Sequence, residues 1–153
     1  MAVVDLLELP RAGALFGLDL GEKTIGVAVS DVTRLIASPL LLIQRKKFSD
    51  EAAELFREYD YRLGSGLIIG LPRNMDGSEG ARCQSNRAFA RNLQRLRPEL
   101  PIAFWDERLS TVAVNRMLIE EADLSRAKRA EVVDRAAAAY ILQGALDRLR
   151  AAR

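Results

Sequence analysis

Between Ala14 and Asp31 the chain reads as two apolar runs, ALFGLDL and IGVAVSD, around the polar, glycine-containing break GEKT. That pattern predicts a β-hairpin. The next apolar run, Leu35 to Ile43, contains Pro39, which suits a third strand at a sheet edge. Ser49 and Asp50 then offer an N-cap and a first-turn acid, and Ala53, Leu55, Phe56 and Tyr59 recur at helical spacing toward Leu63, before Gly64, Ser65 and Gly66 end the helix. Leu67 to Gly70 is a short, fully apolar strand, and Leu71 to Gly80 has the Pro, Asn, Asp and Gly content of an ordered loop. A second helix over Ala81 to Arg97 carries Phe89, Leu93 and Leu96 on its apolar side and Arg87, Arg91 and Arg95 at every fourth position, until Pro98 stops it. Ile102 to Glu107 is a further strand, Ser110 caps a third helix with Val114, Met117 and Leu118, and a fourth helix runs from near Ser125 to about Arg150. A hairpin followed by strands alternating with helices predicts an α/β fold, a mixed sheet flanked by helices. Residues 1–13 read as an N-terminal extension and residues 14–150 as one domain.

Composition narrows the chemistry more than it narrows the fold. With 153 residues and 49% apolar positions the chain is sized for one well-buried domain. It has no histidine, which removes the commonest general base and every Ser/His/Asp or Cys/His arrangement. One cysteine, Cys83, excludes an intramolecular disulfide and a cysteine-built zinc site. Catalysis would then rest on carboxylates, Lys or Arg, hydroxyls, backbone amides and a hard, oxygen-preferring metal such as magnesium or manganese. Residues 1–14 lack the pattern of a secretory signal, and the longest apolar runs are too short to cross a bilayer, so a cytoplasmic protein without a membrane partner is expected. Net charge is only +2, although all but Lys23, Lys46, Lys47 and Lys128 of the 23 basic residues are arginine, the side chain best shaped to fork onto phosphate.

Three acidic positions are costly for folding. Asp19 lies inside a strand in which alternation puts Phe16, Leu18 and Leu20 on one face and Gly17 and Asp19 on the other. A carboxylate there needs a partner charge or a metal, and Gly21 just beyond it allows a phosphate to approach. Asp134 shares its helix direction with Ala130, Ala137, Ala138, Ile141 and Ala145, whereas Lys128, Arg129, Arg135, Asp147 and Arg150 lie toward the other side, so it faces the sheet. A buried pair with one arginine is the plain alternative for either acid. Asp106 and Glu107 close an apolar strand and point to opposite faces, so only one can join Asp19, and periodicity leaves both open.

Four segments carry a family resemblance: Asp19 to Ala28 (DLGEKTIGVA), Gly70 to Ser78 (GLPRNMDGS), Asp106 to Thr111 (DERLST) and Val133 to Ala137 (VDRAA). Together, over Leu15 to about Leu146, they resemble the YqgF or RuvX family, Holliday junction resolvase-like proteins described as nucleases of pre-16S ribosomal RNA. The resemblance implies an RNase H-like fold with a mixed five-stranded sheet. It implies that Asp19, Glu107 and Asp134 hold Mg2+ or Mn2+ as a catalytic metal site, and it selects Glu107 over Asp106. Thr24 departs from the family, which usually carries a basic residue there.

Substrate-side candidates are Lys23, after the turn that follows Asp19; Asn74 and Ser78, in a loop that the resemblance places beside the cleft; and Arg108, Ser110 and Thr111, which follow Glu107. Ser110 reads equally as a plain N-cap and Asp76 as an Asx-turn with Gly77. Cys83 is either half-buried filler beside the loop or an exposed thiol able to couple two chains on oxidation. The expected activity is hydrolysis of phosphodiesters at the 5′ end of pre-16S ribosomal RNA, with structured RNA as partner. The alternative is resolution of branched DNA by a homodimer. A non-catalytic RNA-binding assembly factor and an actin-like ATPase or sugar kinase are more distant readings. The latter lacks a second phosphate-binding hairpin, since Asp76 to Gly80 has no flanking apolar strands.

Overall fold

The computed structural model describes residues 3–109 and 126–152, with side chains described except over 126–135. Five strands, β1 (Ala14–Leu20), β2 (Thr24–Ser30), β3 (Ala37–Gln44), β4 (Gly64–Leu71) and β5 (Ile102–Asp106), form one sheet in the order β3-β2-β1-β4-β5. The β1/β2 and β2/β3 pairs are antiparallel and the β1/β4 and β4/β5 pairs parallel, so the sheet is mixed. Helices α1 (Phe48–Tyr61), α2 (Ala81–Leu96) and α3 (Arg126–Ala151) flank it. The helix expected after Ser110 lies outside the described residues.

Strand β1 is central and buried at every position, as its nearly unbroken apolar run requires. Phe16, Leu18 and Leu20 pack with Leu55, Phe56, Tyr59, Phe89 and Leu93 of α1 and α2. On the other face Leu15, Ala28 and Ile68 pack with Ala138, Ile141, Leu142 and Ala145 of α3. The alternation read in β1 therefore separates two cores, and Asp19 belongs to the α3 side. Gly17 lets that helix come close: a Cβ there would lie 2.7 Å from Leu142 Cβ and 3.1 Å from the Ala138 carbonyl.

Several boundaries differ from the sequence expectation. Gly64, Ser65 and Gly66, expected to end a helix, already belong to β4, which extends over Gly64–Leu71. Gly64 pairs with Ala14, and the Tyr59 ring occupies the space where its side chain would be. Helix α1 has no side-chain N-cap. Glu51 instead accepts the Lys46 backbone N–H at 2.7 Å and Arg45 Nε at 3.0 Å. Strand β3 is an edge as expected, with Pro39 beside a register shift at Val27/Ala28. Strand β5 ends at Asp106, and Glu107 opens a 3-10 turn, Glu107–Leu109.

Candidate active site

Strands β1, β4 and β5 run parallel, so their carboxyl ends converge on the turn between β1 and β2, the loop after Leu71 and the turn at Glu107. Open α/β sheets offer a crevice at such ends. Asp19 is the penultimate residue of β1, opposite Gly26 of β2 and one step past the Leu18/Ile69 pair, which sets it beside Gly70 of β4. Gly70 faces α3. A Cβ there would lie 2.6 Å from Ile141 Cδ1 and 2.9 Å from Glu107 Oε2. The Glu107 carboxylate thus lies over the residue adjacent to Asp19, on the same face and about one strand spacing, roughly 4.8 Å, across. Both acids are buried, at 8% and 9% exposure.

Asp106 takes a different environment. Arg108 Nη2 donates to its Oδ2 at 2.7 Å, and the Arg108 backbone N–H to its Oδ1 at 3.0 Å. The Arg108 guanidinium and N–H hold the Asp106 carboxyl below its usual range. Arg108 Nη1 also donates to the Met75 carbonyl at 3.3 Å, so this candidate phosphate ligand joins the turn after β5 to the loop after β4.

That loop is bonded internally. Asn74 N–H donates to the Ser78 carbonyl and Gly77 N–H to the Asn74 carbonyl, each at 2.9 Å, with Gly77 in the left-handed region at φ +89°. Asn74 Nδ2 donates to Ser78 Oγ at 3.0 Å, and Ser78 N and Oγ donate to Asp76 Oδ1 at 2.9 and 2.6 Å. Asp76 therefore forms the Asx motif, and the Ser78 hydroxyl and N–H lower its pKa. Asn74 and Ser78 bond to each other across the loop.

The hairpin tip is anchored from the α1/α2 side. Arg45 donates Nη1 to the Gly21 carbonyl at 3.0 Å and its backbone N–H to the Lys23 carbonyl at 2.9 Å, and the Lys23 side chain is exposed at the same end of the sheet. Sequence reasoning missed Arg45 and also Asn86, whose buried Nδ2 donates to the Gly70 carbonyl at 2.9 Å and fixes the strand beneath Glu107. The available signal was an amide on the apolar stripe Cys83, Asn86, Phe89, Ala90, Leu93. A cleft of about 450 Å³ lined by Arg45, Lys46, Arg82 and Asn86 opens on this side of the sheet, whereas the acids face α3.

Among the described residues no three His, Cys, Asp or Glu side chains cluster as a metal set. The Asp134 side chain, with Ser110 and Thr111, lies outside the described residues. Position 134 is on α3, one turn before Ala138, whose carbonyl lies beside Gly17. Ala137, Ala138, Ile141 and Ala145, the later members of its stripe, are fully buried. Arg87 of the basic stripe is engaged by Glu79, through two 2.7 Å bonds, and lies over the Phe104 ring. Cys83 is buried, and burial raises its thiol pKa, so it is filler and not an exposed thiol.

A mixed five-stranded sheet in this order, with helices on both faces and acids at the carboxyl ends of its central strand β1 and its edge strand β5, is an RNase H-like fold of the resolvase kind. The structure aligns with Thermus thermophilus RuvC solved in complex with Holliday junction substrate, at a TM-score of 0.50 and 10% identity over 90% of this chain and 96% of that one. The chain belongs to the RuvX family, described as Holliday junction resolvase, whose pattern matches residues 13–148. It is 69% identical to a Phenylobacterium zucineum protein over 98% of this chain and 99% of that protein. It is 62% identical to one from Caulobacter vibrioides with the same coverage, and both carry the name "Putative pre-16S rRNA nuclease".

Proposed function

We propose that this chain is a divalent-metal-dependent nuclease whose reaction centre is built on Asp19, Glu107 and Asp134, and that it trims the 5′ end of pre-16S ribosomal RNA. The observation that carries this reading is the pair of buried carboxylates, Asp19 and Glu107, set on either side of a glycine at the carboxyl end of the sheet. Asp19 and Glu107 both offer carboxylate oxygens, donors that fit a hard cation such as Mg2+ or Mn2+, and the missing side chain at Gly70 is what lets the Glu107 carboxylate lie there. When bound, the metal would activate water and offset charge on the attacking and leaving oxygens of the phosphodiester. Asp19 is held by two neighbouring strands and Glu107 by a 3-10 turn, so the acids are positioned by backbone, which limits the reorganisation left to the moment of reaction. Lys23 and Arg108 border the same end and suit a nucleic-acid backbone.

Ribosomal RNA is favoured over other substrates by the names of relatives 62–69% identical over nearly the full chain. The family description supports a second reading, a four-way DNA junction, whose symmetrical cleavage requires a dimer. The test compares cleavage of a precursor RNA and a DNA junction with Mg2+, Mn2+ or EDTA, using Asp19→Asn as blank. We expect RNA cleavage that needs metal and falls at least about a hundredfold in Asp19→Asn, Glu107→Gln and Asp134→Asn. Cleavage that survives EDTA or these substitutions would refute the metal-nuclease reading, and junction-only cleavage would replace the substrate.

A further inference from the structure

The loop after β4 presents one side chain outward that its own structure does not use. Met75 is 91% exposed, more than any other large apolar side chain among the described residues. Single exposed apolar residues are ordinary on protein surfaces, so exposure alone means little. The setting of Met75 is different. Its neighbours Asn74, Asp76 and Ser78 turn their polar groups inward on one another, and Gly77 closes the turn with positive φ. Arg108, planted on Asp106, donates to the Met75 carbonyl from the turn that begins with Glu107. The crown of the loop is therefore fixed relative to a reaction-centre acid, while the thioether projects into solvent. Flexible, polarisable methionine adapts to flat, irregular partners, and a loop already ordered loses little entropy when it binds.

From this we propose, resting on the nuclease reading above, that Met75 packs against a nucleobase next to the scissile phosphate and holds that base out of its stack. It would set where along the strand the cut falls. Apolar side chains placed against base steps unstack them in this manner. Lys23 and Arg108 would contact the backbone, leaving Met75 as the loop's contact to a base.

The test places 2-aminopurine at successive positions around the cleavage site of the RNA, and of the corresponding DNA junction, and measures its fluorescence on binding to Asp19→Asn protein. Cleavage by the otherwise unaltered chain is measured in parallel. Met75→Ala should abolish the fluorescence rise at one position, lower kcat/KM by about tenfold and blur the cut site, and Met75→Phe should restore all three. The melting temperature of Met75→Ala should equal that of the parent, since the side chain is almost wholly exposed. Unchanged fluorescence and unchanged kcat/KM in Met75→Ala would overturn the inference, as would a drop in its melting temperature large enough to explain the loss. If the parent chain cuts neither nucleic acid, the nuclease reading fails, and the fluorescence arm still decides whether Met75 meets a base. The RNA and DNA arms identify which strand supplies it.

Discussion

Gly17 and Gly70 both face α3, yet a methyl group would meet different kinds of atom at each. At Gly17 the nearest atoms are Leu142 Cβ at 2.7 Å and the Ala138 carbonyl at 3.1 Å, parts of the helix that move only if the helix moves. At Gly70 they are Ile141 Cδ1 at 2.6 Å and Glu107 Oε2 at 2.9 Å, the far ends of side chains that can rotate. Gly17→Ala should therefore cost more stability, about 2–3 kcal/mol by urea titration against about 1 kcal/mol for Gly70→Ala. Cleavage should rank the other way, with Gly70→Ala losing more activity because it displaces the Glu107 carboxylate, which we propose as a metal ligand. A Gly70→Ala protein with full activity would show that Glu107 need not occupy this position. Asp19 was legible in the sequence because an acid inside an apolar strand is costly. Gly70 was not, because a glycine closing a short apolar run looks like the end of a strand, and its role appears only when Glu107 is folded over it.

Between elements, the clearest single tie joins α1 to the end of α2. Arg97 forks onto Asp60 with bonds of 2.6 and 2.7 Å and lies 4.0 Å above the Phe56 ring. The ion pair is half exposed, so screening leaves it at most about 1 kcal/mol, whereas the stacked guanidinium also covers apolar surface. Arg97→Ala should accordingly destabilise by about 1 kcal/mol or slightly more, and Asp60→Asn by less. The Arg97 bonds lower the Asp60 pKa from its ordinary 3.8. A carboxyl depressed in the folded state stabilises fully above its unfolded pKa and loses that contribution as pH falls through the folded one. Urea titrations should thus separate Asp60→Asn from the parent at pH 7 and bring the two together as pH falls below 3.8 and through the lowered folded value. Strand and helix periods were strong enough to show the hairpin, the edge strand and all three described helices. They failed at Gly64 to Gly66, where the glycines accommodate the Tyr59 ring and the Leu9 and Leu15 side chains, and at Glu107, where a 3-10 turn replaces the last strand residue. At Gly66 the cause is contact with Leu9 and Leu15, residues distant in sequence, which a local pattern does not contain.

At the scale of the molecule, the two edges of the sheet are treated differently. Strand β3 is broken by Pro39 and a register shift, which discourages pairing with another chain. Strand β5 has no such feature in its five residues and is covered by the first residues of the chain: Val4 N–H donates to the Ile102 carbonyl at 2.9 Å. Val4 and Leu6 pack on the α3-side core, and Leu9, 2% exposed, is part of it. The sequence boundary at residue 14 follows the first regular strand and has no means of registering a short segment that packs on the core through Val4, Leu6 and Leu9. If residues 1–13 are a dispensable extension, removing residues 1–9 will leave melting unchanged. If they complete the domain, the deletion forfeits the burial of Leu9, about 1.5–3 kcal/mol, and lowers the melting temperature by roughly 5–10 °C. Val4→Pro separates the two contributions, because it removes the N–H to Ile102 while leaving Leu9 in place. It should melt only slightly below the parent but aggregate sooner on heating, as an uncovered edge strand does. Calorimetry with light scattering on the parent, the deletion and Val4→Pro decides between a domain that begins at the first strand and one that begins with the segment sealing the last.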